Sequence, residues 1–159
     1  MKPNRWSLRL AAIVSGAALF AGSAAPAIKN LAVVASASSK MQDVPLVELT
    51  KMCKGTQKAW ADGKTFTLVM KDPGSADMHV AVQKLFGATS GEVKVAIAKL
   101  NEARAVVRVV ENDEDLMRTV DATPGAVGIL DVYAINSTVK VLRLDGKLPF
   151  DVGYALKGN

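Results

Sequence analysis

The sequence has one cysteine, one histidine and few aromatic residues, and each scarcity excludes a class of protein. Cys53 has no partner within the chain, so no internal disulfide framework can form and the hydrophobic core must stabilise the fold unaided. A single histidine, His79, with no C-x-x-C or H-x-x-H pair argues against a metal site, which needs several converging ligands. No G-x-S-x-G elbow accompanies that histidine. We therefore predict no catalytic residues, no metal and no cofactor.

Long hydrophobic runs are also scarce. The apolar run Leu10–Ala21 is shorter than the roughly 20 residues that a membrane-spanning helix needs. Basic residues precede this run and the A-x-A cleavage motif Ala25–Ala27 follows it, and the three parts stand in the order typical of a secretory signal peptide. We predict a cleavable signal peptide over residues 1–27 and a single exported domain, periplasmic or secreted, over 28–159. An uncleaved anchor is the alternative.

Excess positive charge is small once that peptide is set aside. The whole chain has a formal net charge of +5, but residues 28–159 hold 17 basic against 15 acidic residues. A nucleic-acid-binding protein needs a clustered basic face, which this balance does not indicate. We therefore expect no nucleic-acid partner.

Apolar segments that alternate with amphipathic ones predict an α/β fold. The segment 105–110 is nearly continuously apolar, which is typical of a strand covered on both faces. Short buried runs bounded by turn residues favour strands, and longer runs of period 3.6 favour helices. We predict a mixed sheet of about five strands flanked by helices. The predicted strands cover residues 31–35, 65–70, 105–110, 126–130 and 139–144.

Three helix starts carry recognisable signals. Pro45 in a first turn opens a helix that places Cys53 in the core. Thr89 and Glu92 have the spacing of a capping box, in which each side chain bonds the other residue's backbone. Asn112 can cap a helix whose first turn is acidic, as the helix dipole favours.

Four stretches, in order, resemble one known family. They are Leu31–Ser36; Leu49–Gly55 with Trp60–Lys64; Thr123–Gly128; and Val139–Gly146. Together they resemble the phosphate-binding-protein-like group of periplasmic (type 2) solute-binding proteins. The resemblance covers nearly all of residues 31–150 and implies the fold of one lobe. Full transport members of the family are about twice this long and close two such lobes around an anion.

The resemblance also implies an anion site. The family's loop resembles R-D-x-G-S-G-T-R, and the matching segment here is Lys71–His79. An anion is favoured at such a loop because free N–H groups and the helix dipole point at it. The segment departs from the family pattern in its lack of arginine and in the acidic residue in its first helical turn. The candidate ligand-binding residues are Lys71, Ser75, Ala76 and Asp77, with Ser36 as a second hydroxyl.

Two function classes follow from these motifs. The first is an exported solute-binding protein for phosphate or another small oxyanion, working with the membrane subunits of an ABC transporter. The alternative is a non-catalytic interaction or scaffold module that kept the lobe and lost the ligand, with Ser75 merely capping its helix. A homodimer that rebuilds a cleft is left open. A secreted hydrolase would need His79 beside an exposed serine and a carboxylate.

One further pattern has two interpretations. Four lysines are interleaved with Trp60, either as a docking patch for a membrane partner or an acidic surface, or as a solvated helix face. These are Lys51, Lys54, Lys58 and Lys64.

Overall fold

The computed structural model describes residues 29–158, so the predicted signal peptide lies outside the described residues. One sheet contains five strands: β1 (Leu31–Ser36), β3 (Thr67–Met70), β4 (Val107–Val109), β5 (Ala126–Asp131) and β6 (Val139–Val141). Their spatial order is β4-β3-β5-β1-β6. The central strands β3, β5 and β1 are rich in β-branched and other apolar residues that suit a pleated, buried surface.

The sheet is mixed, as the sequence predicts. Strand β3 runs parallel to β4 and β5, whereas β1 pairs antiparallel with both β5 and β6. The carboxyl ends of β3, β4 and β5 therefore meet at one edge of the sheet. The carboxyl end of β1 lies at the opposite edge.

The prediction of a single strand over residues 139–144 is wrong. The segment divides into β6 and a two-residue strand, β7 (Arg143–Leu144), which leaves the main sheet. Strand β7 pairs in parallel with β2 (Asp43–Val44), a strand that is absent from the sequence prediction. Two residues are too few to show a period, so only the tertiary pairing reveals them.

Four helical regions cover the sheet. Helix α1 (Leu46–Cys53) starts after Pro45, and α3 (Ser90–Leu100) has the predicted capping box of Thr89 and Glu92. Asn112 caps α4 (Asp113–Ala122) by accepting from the Asp115 N–H, also as predicted. The second region, here called the mixed helix 76–86, joins a 3-10 turn (Ala76–Met78), an α-helical turn α2 (His79–Ala81) and a π-helical stretch (Val82–Phe86).

Two apolar clusters lie on the two faces of the sheet, giving three layers. Alternate residues of β1 point to opposite faces, with Val33 in the larger cluster and Val34 in the smaller. Helix α1, the mixed helix and α3 cover the larger cluster, which includes the buried Cys53. Helix α4 covers the smaller one, through Leu116, Met117 and Val120.

The prediction that the strand of segment 105–110 is covered on both faces is wrong. Strand β4 is an outermost strand of the sheet, and there Val107 is buried but Arg108 and Val109 are exposed. The apolar run reflects the β-propensity of these residues, and the run alone does not reveal strand order.

Two of the family-like motifs meet in the core. The indole N–H of Trp60 donates to the Gly125 carbonyl at 2.8 Å, and the Trp60 ring packs edge-on against Phe66. Gly125 has φ +80°, and a Cβ there would lie 2.4 Å from the Thr65 carbonyl oxygen. Only glycine fits this turn. Trp60 is therefore a core residue, which contradicts its interpretation as part of a lysine-rich docking patch.

Across residues 29–158, no helix has the length and apolar character that crossing a bilayer requires.

Gly128 of β5 should be a sensitive packing position. A Cβ at Gly128 would lie 2.6 Å from Leu116 and 2.8 Å from Val120 of helix α4. We expect Gly128→Ala to lower the free energy of unfolding by about 1–3 kcal/mol, because a packed core resists extra methyl groups. Urea unfolding followed by circular dichroism measures this change.

The matched control is Gly91→Ala in helix α3, where a Cβ would meet nothing within 4 Å. This variant should be neutral or gain up to about 1 kcal/mol from helix propensity. An equal loss of stability in both variants would contradict the expected clash with α4.

Candidate functional site

The candidate site lies at the edge where the parallel strands end. In open α/β sheets, ligands bind outside the carboxyl ends of the strands. Strand β3 ends at Met70 and leads directly into Lys71, and β4 ends nearby at Val109. An open groove of about 540 Å³ lies between these strand ends. It is lined by Lys71, Asp72, Ser75, Asp77, Val109, Val110 and Glu111.

A tight local turn shapes the loop after β3. The Asp72 carboxylate accepts the Gly74 N–H at 2.8 Å, and the Asp72 carbonyl accepts the Ser75 N–H at 2.9 Å. Aspartate favours such turns because its side chain bonds its own backbone two residues on. The turn brings Ser75 to the start of the mixed helix 76–86, where first-turn N–H groups have no intrahelical partner.

Lys71 is held between two carboxylates. Its Nζ lies 2.9 Å from Asp113 Oδ1 and 3.2 Å from Asp77 Oδ2, and its side chain is 15% exposed. Partial burial lowers the pKa of Lys71, but the bonds with Asp113 and Asp77 outweigh it, and the pKa stands above its ordinary value. Lys71 is therefore cationic at neutral pH, and its charge is already compensated within the chain.

Asp77 stands where the family pattern has a hydroxyl residue. The hydrogen bond from Lys71 is the main reason that the pKa of Asp77 lies below its ordinary value. Lys29 adds to this effect with its Nζ 3.5 Å from Asp77 Oδ1, and Lys29 also bonds Asp131 at 3.1 Å. Asp77 therefore stays ionised and takes the contacts with Lys71 that a bound oxyanion would seek.

Ser75 occupies the N-cap position of the mixed helix without making the cap bond. Its side chain accepts no hydrogen bond from the first turn. The hydroxyl oxygen is buried and has no hydrogen-bond partner among residues 29–158. Buried polar groups are nearly always hydrogen-bonded, so this hydroxyl calls for an explanation. Ala76, the next residue, is exposed, so it brings only its backbone to the site.

The charged side chains that meet at this edge have a net negative charge. Lys29 and Lys71 face three carboxylates, those of Asp77, Asp113 and Asp131. From the sequence, Asp113 is predicted only to complement a helix dipole, and Lys29 and Asp131 carry no prediction. Nothing local marks these residues, because they reach the site from the start of α4, from the segment before β1 and from the end of β5.

Ser36 does not join this group. It ends β1 at the opposite edge of the sheet, where its hydroxyl donates to Asp121 Oδ1 at 2.6 Å. It lines a separate groove of about 290 Å³ with Asp62, Lys64 and Thr123. The antiparallel direction of β1, which the sequence pattern does not reveal, separates it from Ser75.

His79 lies in a third groove, of about 580 Å³, that also contains Ser90 and Glu92. Glu92 is engaged by the capping box, where it accepts both the N–H and the hydroxyl of Thr89. No side-chain hydrogen bond of His79 occurs within the described residues. The hydrogen bonds that would join a serine, a histidine and a carboxylate in a catalytic triad are not present in this groove among residues 29–158.

Comparison with known proteins agrees with the family resemblance. No protein-family model matches the chain. The curated phosphate-binding protein PstS 2 of Streptococcus agalactiae is 30% identical over 83 residues, which are 52% of this chain and 27% of that protein. The match thus covers about a quarter of the curated relative.

Solved structures share the fold over about half of their own length. A phosphate ABC transporter substrate-binding protein from Clostridium perfringens, with bound phosphate, matches at TM-score 0.60 and 15% identity over 77% of this chain and 47% of its own. PstS from Borrelia burgdorferi matches at TM-score 0.59 and 15% identity, over 83% of this chain and 55% of its own. A phosphate transport receptor from Vibrio cholerae matches at TM-score 0.58 and 14% identity, over 82% of this chain and 54% of its own. The chain has the fold of one lobe of a type 2 periplasmic binding protein, as the sequence predicts.

The Lys71 ion pairs should contribute measurably to stability. Lys71→Met keeps most of the side-chain length but leaves Asp77 and Asp113 close together without their shared cation. We expect the free energy of unfolding in urea at pH 7 to fall by about 1–2 kcal/mol, below the loss for a fully buried pair.

Lys94→Met is the control, because it breaks an exposed pair with Asp72 at 3.0 Å. Exposed pairs contribute little, so we expect a change below about 0.5 kcal/mol. Similar losses in the two lysine variants would show that Lys71 is no more important than a surface residue.

Proposed function

We propose that the chain is an exported, non-catalytic solute-binding protein that binds phosphate or a related oxyanion at the loop Lys71–Asp77. Residues 1–27 act as its signal peptide, and residues 28–159 form a single domain that works in the periplasm with the membrane subunits of an ABC transporter. The observation that supports the site is the buried hydroxyl of Ser75, which has no partner among the described residues.

The chemistry of the loop suits an oxyanion. A phosphate oxygen beside Ser75 would accept its O–H and the first-turn N–H groups of Ala76 and Asp77. These are the groups that make a helix start attractive to anions. Lys71 lies in the same groove and would supply a charge-assisted bond.

Asp77 sets the strength of this binding. Its carboxylate holds Lys71 and adds a negative charge where the anion would sit. Two unit charges about 4 Å apart repel by about 1–4 kcal/mol in surroundings between water and the protein surface. An entering phosphate must overcome this repulsion, so we expect weak binding by the natural sequence.

Replacing Asp77 should strengthen phosphate binding. Isothermal titration calorimetry with phosphate, and in parallel with sulfate, should give at least about tenfold higher affinity for Asp77→Asn than for the natural protein, since tenfold corresponds to 1.4 kcal/mol. Adding Ser75→Ala or Lys71→Met to Asp77→Asn should remove most of this gain, because each deletes a donor to the anion.

Asp115→Asn is the matched control. Asp115 is also an acidic helix-start residue, but it pairs with Arg118 and does not line the groove. This variant should bind phosphate like the natural protein. Absence of phosphate and sulfate binding in folded Asp77→Asn protein would rule out the proposed site.

The alternative function, an interaction module, has its own supporting observation. Two aromatic side chains are exposed side by side after the end of β5 and in the C-terminal segment, Tyr133 (84%) and Phe150 (60%), and Val152, two residues beyond Phe150, is also exposed (93%). The rings of Tyr133 and Phe150 lie 6.0 Å apart. Adjoining exposed apolar side chains often mark protein–protein contacts. A second copy of the chain is the partner that the sequence leaves open.

Self-association through this patch can be tested directly. Sedimentation velocity over a wide concentration range should show a dimer for the natural protein and a monomer for Tyr133→Ser/Phe150→Ser. Val47→Ser, which removes an exposed apolar residue of helix α1, should leave the dimer unchanged. A natural protein that stays monomeric at every concentration would remove the support for this homodimer.

A further inference from the structure

Another concave site lies on the larger apolar face, away from the strand ends. It opens between the C-terminal end of α1 and helix α3 and has a volume of about 520 Å³. Small-molecule sites in proteins commonly span 300–1,000 Å³. The floor is apolar and includes Cys53, Phe86, Val93, Ala96, Leu100 and Ala103.

A glycine lets helix α3 pack closely against the end of α1 beside this groove. Gly55 follows α1 with φ +76°, and a Cβ there would lie 2.5 Å from Leu100 Cδ2. A second cavity of about 240 Å³ adjoins the first and reaches Val106. Both cavities are lined by Gly55, Lys58, Leu100 and Ala103. We call these two adjoining cavities together the channel.

The floor of the channel carries no charge. Cys53 is fully buried, and burial raises the pKa of its thiol to about 12. The thiol is therefore neutral and weakly reactive at physiological pH. An apolar, uncharged floor favours hydrocarbon over a polar ligand.

The rim of the channel is positive. Lys54, Lys58 and Lys99 line it, all three are exposed, and none forms a salt bridge within the described residues. Glu102 is the one carboxylate in the same lining. The C-terminal ends of α1 and α3 add about half a negative charge each, which leaves a net charge of about +1. Arg104, which lines the continuation, adds a further positive charge.

We propose that this channel binds an amphipathic small molecule, a long-chain carboxylate whose hydrocarbon tail lies along the apolar floor and whose head group meets the lysines. The apolar floor selects the tail, and the surplus of lysine charge selects a negative head. This inference is independent of the proposed phosphate site, which lies at the edge of the sheet and has the opposite charge balance.

Titration with dodecanoate below its micellar concentration tests the proposal. Calorimetry should show saturable binding of one molecule per chain, with affinity that rises from octanoate through decanoate to dodecanoate. Dodecyl maltoside has the same chain with a neutral head and should bind at least about tenfold more weakly, a difference of 1.4 kcal/mol. Equal affinity for the neutral amphiphile would overturn the assignment of an anionic occupant.

Paired variants locate the binding. Ala96→Trp places a large ring in the groove and should weaken dodecanoate binding at least tenfold, whereas Ala98→Trp, on the same helix but outside the lining, should not. Lys54→Gln/Lys58→Gln/Lys99→Gln should lower affinity, and the control Lys51→Gln/Lys84→Gln should not. Circular dichroism confirms that each variant is folded.

Two further results would overturn the proposal. The first is absence of saturable dodecanoate binding by the folded natural protein; sedimentation of that protein with phosphatidylglycerol vesicles would then indicate a lipid surface as the partner. The second is equal binding by Ala96→Trp and Ala98→Trp.

Discussion

The burial of strand β5 on both faces is the constraint on which the rest of the structure depends. Val127 and Ile129 enter one apolar cluster, and Leu130 enters the other. A strand covered on both sides needs helices on both faces, and this requirement creates the three-layer arrangement. Gly128 allows α4 to approach the strand closely, so one missing side chain sets the spacing of the thinner layer.

The motifs that make the chain recognisable are mostly packing motifs. Trp60 and Gly125, which belong to two of the family-like stretches, are joined by a hydrogen bond within the core. The loop after β3, by contrast, has the altered residues. The fold and the ligand site are therefore separable in this sequence, because the core requires shape whereas the site requires donors and charge. A sequence can therefore resemble a family in its packing residues while its ligand-binding loop differs.

Charge distinguishes the groove at the strand ends from the channel between α1 and α3. At the strand ends, Asp77 and Asp113 neutralise Lys71, so an entering anion meets compensated charge. In the channel between α1 and α3, the lysines form no salt bridge within the described residues, and Glu102 is the one carboxylate in their lining. The overall charge of the chain predicts neither arrangement, because a net charge does not show where the individual charged residues lie in the fold.

Local patterns alone determined much of the scaffold. The capping box at Thr89, the cap at Asn112 and the alternation along β1 follow from bonds and periods that span only a few residues. Strand order does not follow from such patterns, so the apolar run of β4 wrongly predicts burial on both faces and nothing local predicts β2. Pairing partners far apart in the chain decide which strand lies at an edge.

The residues of the candidate site likewise divide into those that the sequence predicts and those that only the structure reveals. The sequence alone placed Lys71, Ser75, Ala76 and Asp77 in one loop, because they are neighbours along the chain. Only the tertiary structure brought in Lys29, Asp113 and Asp131, and only it moved Ser36 to the far edge, because β1 runs antiparallel to β5. Strand direction and long-range charge pairing depend on the packed fold, and no local segment encodes them.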